Sequence, residues 1–210
     1  MKNAALFLTF IVALMCGHLY SCSSGTTQTE KDSSTGTDKD TADVQLAEPD
    51  FNDFLNCFEK CSLPYPDNFS DVSEKEIPES LVRTYIFSNN KSIEHDSGSG
   101  ILLSKGRFDL PEDRVGTIFS ESNPDHSEKS TWLFIYDSGG SFRCSYQLDY
   151  SYRGAASRDN TSSEISRNLH ILTITASEEK DLVSDEWIST KESFHYMIND
   201  DGWIVDASYE

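Results

Sequence analysis

Midway along the chain the apolar residues stop recurring every three or four positions and begin to alternate. That change decides the fold class. In TWLFIYDSGGSFRCSYQLDY (131–150), Trp132 to Tyr136 run without a polar break and Asp137-Ser138-Gly139-Gly140 forms a turn. Phe142, Cys144, Tyr146, Leu148 and Tyr150 then fall on one face, with Arg143, Ser145, Gln147 and Asp149 on the other. The outgoing strand has Leu133 and Ile135 on one side and Trp132, Phe134 and Tyr136 on the other, so both faces need cover. Such a strand belongs in the middle of a sheet, under a helix. A second hairpin closes the chain. Phe194, Tyr196 and Ile198 alternate, Asn199-Asp200-Asp201-Gly202 turns, and Trp203, Val205 and Ala207 return. Asp-Gly suits that turn because both residues tolerate positive φ.

The segments ILLSKGRF (101–108), VGTIF (115–119) and Asn168 to Thr175 add further strands. The polar run Ser162 to Arg167 reads as a short helix or loop, and EEKDLVSDEWIST as an acidic connection containing Trp187. Before the alternation starts, the spacing is helical. Phe51, Phe54, Leu55 and Phe58 make one stripe behind Asp50 as N-cap, with Asp53 in the first turn, and Leu63-Pro64-Tyr65-Pro66-Asp67 stops the helix. A second helix starts near Pro78, with Leu81, Val82 and Tyr85 turned inwards. The expected class is α+β: two N-terminal helices packed on a mainly antiparallel β-sheet or a partly closed β-barrel.

Residues 22–46 contain almost no core-forming side chains, so ordering them costs backbone entropy with no burial in return. They read as a flexible tether, and residues 47–210 as one α+β domain long enough to enclose a core. The N-terminus differs from both. Lys2 precedes the apolar stretch Ala4 to Met15, which is too short to span a bilayer. Leu19, Tyr20, Ser21 and Cys22 follow, placing an aliphatic residue at −3 and a small one at −1 before a cysteine. This spacing resembles the lipobox of bacterial lipoprotein signal peptides. The resemblance implies cleavage of residues 1–21, acylation of Cys22, and a protein held at the membrane of the bacterial cell envelope by that lipid. It implies an extracytoplasmic domain, with the outer membrane as the destination.

The sequence has 36 acidic against 17 basic residues, a net charge of −19. Phosphate backbones and anionic lipid surfaces repel such a surface, so nucleic acid is excluded as a partner and the membrane is reached through the anchor. An extracytoplasmic protein or a glycan remains as the partner class.

Export permits disulfides, and Cys57 and Cys61 sit one turn apart on the expected helix, a candidate pair, with Cys144 as a small apolar residue of a strand. Asp137-Ser138-Gly139-Gly140 resembles the nucleophile segment of chymotrypsin-like serine proteases, which implies Ser138 as nucleophile. Tyr136 and Ser141 depart from that family's glycine and proline, and neither His95 nor His126 has its histidine context. Hairpin-turn chemistry is the competing account of the same four residues. No HExxH, CxxC or paired histidine gives a metal set. Asp200 and Asp201 admit incidental calcium, although calcium wants six or more oxygens and the turn lacks an EF-hand pattern. No catalytic set stands out. The residues that suggest binding are aromatic: Trp187 with Tyr150 and Tyr152, as a surface able to stack on sugar rings or anchor a protein. The sequence therefore reads as a lipid-anchored, non-catalytic binding or accessory module, with a Ser138 hydrolase and a structural or assembly lipoprotein as alternatives.

Overall fold

The computed structural model describes residues 49–91, 93, 101–122, 128–181 and 183–207. The expected signal segment, Cys22 and the expected tether lie outside the described residues, as do His95 and His126. The chain divides into two compact units, Met1–Gln45 and Leu46–Glu210.

Its frame is an antiparallel meander of nine strands in sequence order. These are β1 (Lys75–Glu76), β2 (Ile101–Leu110), β3 (Arg114–Ser122), β4 (Glu128–Tyr136), β5 (Phe142–Arg153), β6 (Ser157–Ile165), β7 (His170–Lys180), β8 (Trp187–Ile198) and β9 (Ile204–Asp206). The two end strands do not pair with each other, so the sheet is not closed into a barrel.

Two short helical elements cover one face. In α1 (Phe51–Leu55), Asp50 is the N-cap and its carboxylate accepts the Asn52 N–H at 2.9 Å. The helix is shorter than its stripe. The N–H groups of Cys57 and Phe58 bond back to Phe54 and Leu55, and this tightened turn delivers Phe58 to the core. The chain then leaves the helix: Cys61 N–H donates to the Arg107 carbonyl at 2.7 Å, in a parallel bridge beside β2. Cys57 and Cys61 therefore share no helix flank, and Cys57, Cys61 and Cys144 all carry free thiols. The second element, α2 (Glu79–Leu81), continues as the wider π turn Val82–Phe87. Pro78 stands at its N-cap, and Leu81, Val82 and Ile86 are its buried residues.

Apolar layers lie on both sides of β4. Phe134 and Tyr136 pack with Phe51, Phe54, Phe58, Ile86 and Phe119, while Leu133 and Ile135 pack with Phe108, Ile118, Leu148 and Ile165. The central, doubly covered strand read from the unbroken apolar run is correct.

Strand β5 departs from simple alternation. Two register shifts interrupt its ladder with β4, between Ile135 and Tyr136 and between Thr131 and Trp132. An extra residue reverses the facing of everything beyond it. Phe142 consequently joins the helix-covered layer, against Phe134 and Tyr136. Cys144, Tyr146 and Leu148 join the other layer, and Tyr150 pairs with Ser130 beside Trp132. The single face expected for these five residues is thus split.

The segment Ser162 to Arg167, expected as helix or loop, lies largely in β6. Its ladder with β7 runs unbroken from Ser157–Glu179 to Ile165–Ile171. Hydroxyls support it: Thr161 bonds Thr175, and Ser177 donates to Asp159 at 2.6 Å. Backbone pairing and side-chain hydroxyls carry no hydrophobic period, so the strand was hidden. Only Tyr150–Arg153 of β5 pair with β6. Past that point, Ser163 N–H donates to Asp149 Oδ1 at 3.1 Å and its hydroxyl to the Leu148 carbonyl at 2.5 Å. Tyr65 and Ile165 then exchange two backbone hydrogen bonds of 3.0 Å, closing the β6 edge with the proline-flanked segment.

Candidate functional site

The first expected site is a turn. Asp137 Oδ1 accepts the N–H groups of Gly139 at 3.1 Å and Ser141 at 2.9 Å, and its other oxygen faces the Arg143 guanidinium at 3.6 Å. Gly140, at φ +85, sits over the Phe51 ring. Asp137, Gly139 and Gly140 thus serve the β4–β5 reversal. Ser138 is exposed and makes no side-chain hydrogen bond among the described residues. The Asp200-Asp201 turn has its own cation, because Arg114 donates to the Asp200 carbonyl and pairs with Glu112 at 2.8 Å. Gly202, at φ +77, leaves room there for the Arg114 stem. Among the described residues no three His, Cys, Asp or Glu side chains form a metal-holding group. Burial and a nearby carboxylate, Asp53 for Cys57 and Glu59 for Cys61, push both thiols above the usual range, so they stay protonated and weakly nucleophilic.

The three aromatics expected to make one surface are not together. Tyr152 pairs with Asp159, while Arg153 pairs with Arg158 and Arg158 with Glu178. The Arg158 guanidinium lies 4.4 Å from the Trp187 ring centroid. Alternation therefore puts Tyr150 and Tyr152 on one face and Trp187 on the other, three strands away. Trp187 is no part of an acidic connection either; it opens β8 and is 38 % exposed.

Tyr150 finds a different tryptophan. It lines a cleft of about 250 Å³ with Trp132, Gln147, Ser130, Glu121 and Glu128. Strand register builds this group. Glu121 of β3 opposes Ser130 of β4, Ser130 opposes Tyr150 of β5, and Trp132 opposes Gln147 across the second bulge. Glu121 is 7 % exposed. Gln147 Nε2 donates to the Ser130 hydroxyl at 3.2 Å, and the Trp132 indole N–H is shielded with no acceptor among the described residues. The cleft thus combines two aromatic walls with amide, hydroxyl and carboxylate groups, the usual make-up of a small-ligand site. Sequence reasoning identified Tyr150 but missed Trp132, Glu121 and Gln147, because their meeting depends on the bulge at Leu148.

A second, wider cleft of about 460 Å³ brings His170 and His195 to one side of β7 and β8, with Glu164 and Asp67 at its rim. All four are exposed. It is the less selective cavity, since exposed charges are solvated and contribute little to holding a ligand. Comparison with family models, curated proteins and solved structures finds no match for this chain.

Proposed function

We propose that this protein is a lipid-anchored binding module of the bacterial cell envelope that holds one ring of a glycan between Trp132 and Tyr150. The observation that carries this reading is the convergence of two aromatic side chains and four polar ones on a single cleft. Sugars are recognised through stacking of their apolar ring faces on aromatics, with hydroxyls met by amides and carboxylates. A volume of about 250 Å³ lies below the roughly 300 Å³ at which pockets for drug-sized ligands begin, which suits one ring. The anchor rests on the Leu19 to Cys22 spacing, and a glycan is an abundant ligand at that address.

Titration of the chain with oligosaccharides of N-acetylhexosamine and of neutral hexose, followed by tryptophan fluorescence and calorimetry, tests the site. Saturable binding to one class is expected, with Tyr150→Ala weakening it by about 1–1.5 kcal/mol, near tenfold. Equal affinity in the variant would remove the cleft from the reading. One observation favours a second chemistry at the same place: the cleft holds a buried carboxylate, Glu121, and a more exposed one, Glu128. Such a pair is the equipment for acid–base cleavage of a glycosidic bond. Release of reducing ends during the titration, abolished by Glu121→Gln, would mark hydrolysis in place of binding. The address has its own check. Labelled palmitate is expected on the membrane-bound wild type and absent from Cys22→Ala, which two acyl signals would otherwise hold in the bilayer. Label retained in the variant would move the anchor elsewhere.

A further inference from the structure

Most of strand β8 is paired on one side only among the described residues. Its whole length from Trp187 to Met197 is laddered to β7, whereas β9 covers only Tyr196 to Ile198. Among the described residues nothing pairs with the outer edge from Trp187 to Phe194. The His195 carbonyl points outward and accepts the Ala207 N–H, so alternation turns the N–H and C=O groups of Trp187, Ser189, Lys191 and Ser193 outward as well. Apolar side chains flank this edge on both faces: Trp187 on one, Ile188 at 58 % and Phe194 at 39 % exposure on the other. Most native sheets blunt such an edge with proline, a bulge or a covering loop, and β8 has no proline and no register shift.

We propose that this edge takes up an extended, basic segment of another extracytoplasmic protein as an added strand. Charge decides the occupant. Arg158 is engaged by Glu178 and Trp187, and Lys180 by Asp185 at 2.5 Å. Glu179, Glu186 and Glu192 take part in no ion pair among the described residues, against Lys191 as the one cation of β8. The edge is therefore negative around an apolar strip and attracts lysine or arginine flanking the incoming strand. A second copy is disfavoured. Two-fold pairing centred on Lys191 or Glu192 sets like charges opposite each other, and each chain carries −19. Main-chain bonds supply the affinity in strand addition, and the side chains at alternate positions supply the selection.

The test uses the full chain purified in detergent and labelled for amide exchange. The probe is a capped peptide alternating lysine with valine. Expected is slowing of exchange at Ser189, Lys191 and Ser193 by about tenfold or more at saturation, with binding weakened at least about tenfold when glutamate replaces lysine. The same peptide N-methylated at alternate residues should give no protection, since its backbone can no longer donate. Ser189→Pro should abolish binding while leaving the exchange of β4 unchanged, because the lost N–H points away from β7. If that variant does not fold, the N-methyl comparison on the unaltered chain decides. Equal protection by the acidic or the methylated peptide overturns the proposal. So does protection of these amides without any probe, which would mean that the edge is already covered by this chain or a copy of it. None of these results depends on the glycan cleft, which lies between β3 and β5.

Discussion

Phe54→Ala is expected to lower the unfolding free energy by about 3–5 kcal/mol, the usual range for removing a fully buried phenyl ring. Phe54 is inaccessible to solvent and its ring touches Phe51, Phe58, Tyr85 and Tyr136 at centroid distances of 5.0–6.0 Å. The loss has two parts: the transfer energy of the ring, and the cavity left because those four aromatics cannot all collapse into one space. Two are also tied by their hydroxyls, Tyr85 to the Pro49 carbonyl and Tyr136 to the Tyr85 carbonyl, each at 2.6 Å. That restricts relaxation and puts the site towards the costly end. Urea unfolding followed by far-ultraviolet circular dichroism measures the change. A loss below about 1.5 kcal/mol would be a surface-like value, incompatible with a ring at the centre of the helix-covered layer.

Asp149→Ala is expected to cost about 2–3 kcal/mol, and clearly more than Tyr65→Phe. Asp149 is the joint where β5 and β6 part. One oxygen accepts the Tyr65 hydroxyl at 2.5 Å and the other accepts the Ser163 N–H at 3.1 Å. Burial and the facing carboxylate together push the Tyr65 phenol far above its ordinary range, so it stays a donor through neutral and alkaline pH. Removing the carboxylate strands the Ser163 N–H and takes from the Tyr65 hydroxyl its acceptor, leaving Thr131 beside it; a stranded donor costs about 1–3 kcal/mol, reduced where water can reach it. Tyr65→Phe removes one donor and leaves Asp149 bonded to Ser163, so about 1 kcal/mol is expected. Equal losses in the two variants would show that the carboxylate does not join the strands. The exchange rate of the Ser163 amide gives a local check, since it should rise in Asp149→Ala and not in Tyr65→Phe.

Some elements were legible because one local rule sufficed. Trp132 to Tyr136 is apolar at every position, and only a strand covered on both faces buries Leu133 to Tyr136 in succession. Asp50 caps a helix because its carboxylate reaches the Asn52 N–H two residues on, a contact that needs no other part of the chain. Asn199 to Gly202 reverses the chain for the same kind of reason, with Asn199 accepting the Trp203 N–H at 2.9 Å and Gly202 at positive φ.

Strand β6 was not legible, because SRDNTSSEI buries only Ser163 and Ile165 and its partners are hydroxyls of β7. The candidate site was half legible. Tyr150 stood out as an aromatic at the end of an alternating run, yet its expected neighbour Trp187 belongs to the opposite face. Its real neighbour, Trp132, lies within the unbroken apolar run of the preceding strand, where the sequence alone gives it no separate role. One extra residue near Leu148 accounts for this, since a strand's facing has period two and a single insertion exchanges the faces.

What the sequence determined by itself is whatever depends on neighbours a few residues away: the mainly antiparallel sheet, the helix cap, the two hairpin turns and the central strand. The tertiary structure alone decided the open sheet in place of a barrel, the meeting of Tyr150 with Trp132, the burial of Glu121 and, among the described residues, the uncovered edge of β8. Those depend on bulge positions and on which strands run out of partners. They are settled by contacts between residues far apart in the chain, where loop closure and packing outweigh any local preference.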